Sequence, residues 1–142
     1  MPSKSKLTAA RNLFTKLPKT MAMVKGQKSE LQAEQFLKSQ GLTLIERNYR
    51  CKLGEIDLIM RQGETLVFVE VRFRKRQSYG SASETVDRRK QQKLIRAAQH
   101  YLQVQFNGKE PACRFDVVGI KGNQTPQSEQ NPIEWLPNAF TL

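Results

Sequence analysis

The sequence predicts an α/β domain whose elements follow the order α-β-β-β-α-β. Three observations predict it. Three β-prone runs between residues 42 and 73 succeed one another across short turns, which makes them an antiparallel meander. A stretch on either side of the meander repeats its apolar residues at helical spacing. A last β-prone run, CRFDVVGI, is reached only through the second of these helices, so it joins the third strand as a parallel crossover partner.

Residues 1–26 show no sustained period and are broken by Pro18 and Gly26. They are expected to form a basic, largely unordered tail, with the domain occupying 27–142. A basic, hydroxyl-rich, acid-free start also fits an organellar transit peptide, but a tail that adds non-specific affinity for nucleic acid is the favoured reading. The first helix is expected over about Lys28 to Gln40, with Ser29 and Gln32 as a capping box and Gly41 as its stop. Its buried stripe is Ala33, Phe36 and Leu37, and Glu30 borders that stripe. Glu30 can be a favourable charge on a helix N-terminus or an acid aimed at a site.

Leu42 to Tyr49 reads as the first strand, and Lys52-Leu53-Gly54 turns the chain into the second, about Glu55 to Arg61. Thr65 to Phe73 is the most β-prone stretch. The loop RKRQSYG follows, with Tyr79 able to stack on a base but more often a packed side chain in such a place. The second helix begins at Glu84 or Arg88, capped by Ser83 or Asp87, and runs to Gln105. Val86, Leu94, Ala97, Ala98, Tyr101 and Leu102 form its apolar stripe, and Lys90 falls on the inward side. An inward lysine must snorkel or meet an anion. His100 lies off the stripe and reads as a solvated helix residue. In the fourth strand Asp116 is read as the structural partner of a nearby arginine, ahead of a ligand role. Ile133 to Leu136 adds a short edge strand.

The formal net charge is +11, and its distribution says more than its total. Residues 1–29 hold seven Lys or Arg and no acid, leaving 17 basic against 13 acidic residues in the rest. Nine of those 17 lie within residues 72–96, beside the meander. A basic surround at an acidic spot suits a polyanion, so Arg74, Lys75, Arg76, Tyr79, Arg88, Arg89 and Lys93 are candidate nucleic-acid contacts. Two cysteines, Cys51 and Cys113, make no disulfide framework and no CxxC metal site, which points to a reducing, cytoplasmic setting. No apolar run is long enough to cross a bilayer, so no membrane partner is expected.

The acids inside greasy strands carry the chemistry. Asp57 sits among Ile56, Leu58 and Ile59, and Glu70 between Val69 and Val71. An unpaired ionised carboxylate in such surroundings costs several kcal/mol. Alternation puts Glu55 and Asp57 on one face of their strand and Phe68, Glu70 and Arg72 on one face of the next. Glu30, Asp57, Glu70 and Lys90 together make an acidic cluster plus one cation. That inventory suits hydrolysis of a phosphodiester with a divalent metal. Oxygen donors without a His/Cys set favour Mg²⁺, or Mn²⁺ in its place.

The strings GEIDLI (54–59) and FVEVR (68–72) resemble the D…ExK site of the restriction-endonuclease-like nuclease superfamily. The closest likeness is to the small bacterial YraN-type family, with archaeal Holliday-junction resolvases more distant, and it covers about Gly26 to Phe140. The resemblance implies a restriction-endonuclease-like core, a mixed central sheet flanked by helices. It implies Asp57, Glu70 and the Val71 carbonyl as metal ligands, with Glu30 supporting the metal through water. DNA, branched or otherwise structured, is the implied substrate, and pairing into a homodimer is common in this architecture although no interface is legible. One departure stands out: the superfamily's usual lysine is Arg72 here. Arginine stays protonated, so it clamps phosphate but cannot act as a base. Lys90 is the candidate replacement. The alternative is a nucleic-acid-binding module that kept the fold and lost catalysis.

Overall fold

A computed structural model describes residues 21–74, 86–107, 109–122 and 132–141, with side chains from Gln27 onward. Helix α1 spans Met21–Ser39, followed by β1 (Thr43–Cys51), β2 (Gly54–Gln62) and β3 (Thr65–Arg74). Helix α2 spans Arg88–Phe106 and leads to β4 (Cys113–Lys121) and β5 (Ile133–Phe140). The five strands form one mixed sheet in the order β1-β2-β3-β4-β5. β3 and β4 are parallel, as the crossover through α2 requires, and the other neighbours are antiparallel. This α/β arrangement is that of a restriction-endonuclease-like core.

The two faces of the sheet carry separate cores. On one side Ile56, Ile59, Leu66, Phe68, Phe115 and Val117 pack against Leu94, Ala97, Ala98, Tyr101 and Leu102 of α2. On the other, Leu58, Met60, Val67, Val69, Val118 and Ile120 pack against Ala33 and Leu37 of α1. β3 lies at the centre and is buried along most of its length.

Helix ends follow local chemistry. α1 stops in a Schellman motif: the Leu42 amide donates to the Leu37 carbonyl and the Gly41 amide to that of Lys38. Gly41 takes the left-handed conformation this needs, at φ +96°, and Leu42 is buried in the same core as Leu37. The Asp87 carboxylate caps α2 by accepting from the Lys90 amide at 2.8 Å, and Asn107 closes it in the left-handed region.

Three sequence expectations need correction. The first helix starts at Met21 rather than Lys28, taking in residues placed in the tail. Ala, Met and Lys are strong helix formers that outweigh the roughly 1 kcal/mol cost of Gly26, so Ser29 is a buried interior residue and not a cap. The last strand reaches Phe140 rather than Leu136, because β4 offers a full edge to pair with. Strict alternation fails around Asp57: Ile56 and Ile59 face α2, whereas Leu58 and Met60 face α1.

Candidate functional site

The break in alternation coincides with the end of a ladder. β2 and β3 pair from Gln62↔Thr65 to Leu58↔Val69. β2 then continues on β1 to Gly54↔Cys51, while β3 continues on β4 to Arg74↔Lys121. The two strands therefore part company at Asp57 and Glu70. The Asp57 carboxylate bridges the gap, with Oδ2 accepting from the Val71 amide at 2.8 Å. A residue's N–H and C=O project to the same edge of a strand, so the Val71 carbonyl faces this gap as well.

Glu70 is 4 % exposed and lies among cations as well as acids. Lys90 Nζ and Arg72 Nη1 each stand 3.6 Å from its Oε1, too far for tight charge-assisted bonds. Burial, then the neighbouring Asp57 charge, pushes the Glu70 carboxyl up to about 8. Asp57 is also raised, by burial above all, against the pull of the Val71 amide. Glu30 of α1 reaches the same place from the other layer. Burial and the Asp57 charge raise it to about 7, against a lowering pull from the Asn48 side chain. Three carboxyls are thus held close enough to resist joint ionisation.

The predicted cluster of Glu30, Asp57, Glu70 and Lys90 is therefore brought together, and Arg72 stands beside it. Among the described residues no three His, Cys, Asp or Glu side chains form a ready-made metal shell. Of the predicted nucleic-acid contacts, Arg74 ends β3, Arg88, Arg89 and Lys93 lie exposed on the first half of α2, and Lys75, Arg76 and Tyr79 fall outside the described residues. Glu55 stands apart from the cluster's core, more than half exposed and paired with Arg50 at 3.4 Å. His100 is exposed and meets the Tyr49 hydroxyl at Nδ1.

Asp116 is fully buried and engaged on every side. It accepts from Arg114 through Nε and Nη2, from Trp135 Nε1 and from the Asn138 amide, at 2.9 to 3.3 Å. It ties β5 to β4 and is structural, as the sequence reading preferred.

Sequence reasoning missed two supporting groups. Glu34, 2 % exposed, accepts from Arg47 Nε at 2.6 Å and Nη2 at 2.9 Å and from Lys38 at 2.8 Å, which fixes α1 against β1. Asn48 holds φ +51° within β1 and lines the same pocket as Glu30. Asparagine tolerates that left-handed backbone better than other non-glycine residues. The residue type was a usable signal, but only once its position in a strand was known.

A mixed sheet between two helices, with strand-borne carboxylates where the central strands separate, places the molecule in the restriction-endonuclease-like fold class. The chain belongs to the "Uncharacterised protein family UPF0102", whose family model matches residues 29–120. It is 55% identical over 117 residues to a UPF0102 protein of Saccharophagus degradans, covering 82% of this chain and 92% of that one. It is 51% identical over 119 residues to a UPF0102 protein of Nitrosospira multiformis, covering 84% and 94%. Against a UPF0102 protein of Aeromonas hydrophila the identity is 49% over 131 residues, covering 92% and 91%. The matched span takes in every member of the cluster.

Proposed function

We propose that this protein is a divalent-metal-dependent nuclease that hydrolyses phosphodiester bonds in DNA, with branched or otherwise structured DNA as the favoured form. One observation carries the reading: Asp57 and Glu70 meet where β2 leaves β3, with Lys90 delivered to the same carboxylate by the crossover helix.

The donors fit a hard cation. Asp57, Glu70 and the Val71 carbonyl offer oxygen only, and Mg²⁺ or Mn²⁺ held by one or two carboxylates keeps several waters. Glu30 would act on such an ion through water. The raised carboxyls express mutual repulsion and burial that a doubly charged ion would relieve. When bound, the ion supplies charge stabilisation at the phosphoryl oxygens and a more acidic water. Lys90 orients a phosphate oxygen or the attacking water from 3.6 Å beyond Glu70. Arg72, permanently charged, clamps phosphate and takes no proton. Burial on both faces of β3 keeps the carboxylates fixed.

The test is cleavage of a mixed set of labelled duplex, branched and single-stranded DNAs with Mg²⁺ or Mn²⁺, beside Asp57→Ala and Glu70→Ala. Cleavage lost in both variants supports the site; cleavage that survives both refutes it. A second reading is a nucleic-acid-binding module without cleavage, favoured by arginine at position 72 so close to Glu70. It requires salt-dependent binding indifferent to EDTA and no product.

A further inference from the structure

Beside the acidic cluster, α2 and the β1–β2 turn form a cleft of about 430 Å³, of whose lining the proposed hydrolysis uses Lys90 alone. Arg50, Lys52, Lys90 and Lys93 line it, with Glu55 the only acid among the described lining residues and Leu53 on its wall. Glu55 offsets one charge by pairing with Arg50, and the cleft keeps a surplus of three positive charges. Lys90 belongs both to this cleft and to the Glu70 cluster, which makes the two spaces neighbours.

The cleft is built rather than incidental. A Cβ at Gly54 would sit 2.9 Å from the Lys93 carbonyl oxygen, so the turn packs directly on the helix backbone. That contact sets the distance between the lysine on the turn and the lysines on the helix. The cations are compact ammonium groups plus one paired guanidinium, and no asparagine or glutamine is among the described lining residues. Such a lining holds oxyanions without reading bases.

We propose that this cleft binds the phosphate backbone of the DNA strand flanking the cleaved bond, with Lys52 and Lys93 as sequence-independent phosphate contacts. The direction of the strand rests on the nuclease reading; the binding does not. Arg50 lies near the end of β1 and Lys52 on the turn after it, so neither the charge run of the second helix nor the basic loop pointed to them in the sequence.

The experiment measures binding by the full chain in EDTA, using fluorescence anisotropy on two unrelated DNA duplexes from 50 to 200 mM salt. The Lys52→Ala/Lys93→Ala pair should make the plot of log K against log[salt] shallower by about 2, equally for both sequences. The control pair is Arg61→Ala/Lys109→Ala. Arg61 lies opposite Leu66, beside the start of β4, at the other end of the sheet from Glu70. It should leave the slope within a few tenths of the native value. Lys52→Gln/Lys93→Gln, which retains the stems, should repeat the loss if the alanine pair folds poorly. An unchanged slope in both cleft variants, or an equal loss in the control, overturns the proposal. So does displacement of DNA by millimolar deoxynucleoside monophosphate, which would make the cleft a nucleotide pocket. Failure of the nuclease reading is read separately: no cleavage with Mg²⁺ while the slope difference persists.

Discussion

Replacing Glu70 by glutamine should make the metal-free protein more stable at neutral pH, although it removes a buried acid flanked by two cations. The Glu70 carboxyl rises from 4.5 to about 8 on folding. At pH 7 the native chain therefore holds it mostly neutral, which an amide of the same shape imitates. The unfolded chain ionises it, and that ionisation favours unfolding by roughly 3 kcal/mol at pH 7. A glutamine cannot ionise, so the variant escapes this term. The sign follows from proton counts: across pH 4.5 to 8 the folded wild type binds more protons, so its stability falls as pH rises through that window. Allowing for an imperfect amide fit, the gain for Glu70→Gln should be roughly 2–3 kcal/mol at pH 7 and near zero at pH 4.5. Urea unfolding in EDTA at the two pH values measures it. Adding Mn²⁺ at a hundred times its Kd should then raise the wild type by roughly 2.7 kcal/mol and leave the variant unmoved. A variant destabilised equally at both pH values would refute the reasoning. Glu70 would then be a structural partner of Lys90 and Arg72, not a carboxylate held under electrostatic strain.

The other predictions follow from the same geometry. Lys90→Ala should lower cleavage by roughly 10²-fold or more, with Lys90→Arg recovering DNA binding and little of the rate, as single-turnover assays would show. Asp116→Ala should cost roughly 3–5 kcal/mol in chemical denaturation by stranding Arg114, Trp135 Nε1 and the Asn138 amide, without altering Mn²⁺ affinity of the folded fraction. An altered metal affinity would instead make Asp116 a ligand. Arg47→Ala leaves the Glu34 charge buried with Lys38 alone. Because Arg47 is itself half-exposed, the loss should be only roughly 1–3 kcal/mol, read as a lower thermal midpoint.

The sequence made the order of elements and the pairing of strands legible because each strand was bounded by a turn residue and each helix by a period. Asp57 and Glu70 were legible for a simpler reason, since an acid flanked by Ile, Leu and Val contradicts its own neighbourhood. What alternation could not show was the disruption at Asp57 itself. A strand that sends Ile56 and Ile59 to one core obeys no period of two, and the irregularity is what frees Asp57 to bond the Val71 amide. Glu34 escaped notice because it lies within a charged helix stretch, and only the fold reveals Arg47 across from it. The start of α1 is hidden in the sequence because Gly26 reads as a boundary although its neighbours are good helix formers.

The proposed nuclease stands on Asp57 and Glu70 holding one divalent ion between β2 and β3. Anomalous diffraction from crystals soaked in Mn²⁺ tests it most directly. A single strong peak in contact with both carboxylates and the Val71 carbonyl is expected, absent in Asp57→Ala. A map with no peak there, or with Lys90 and Arg72 closed onto Glu70 in the ion's place, would contradict it.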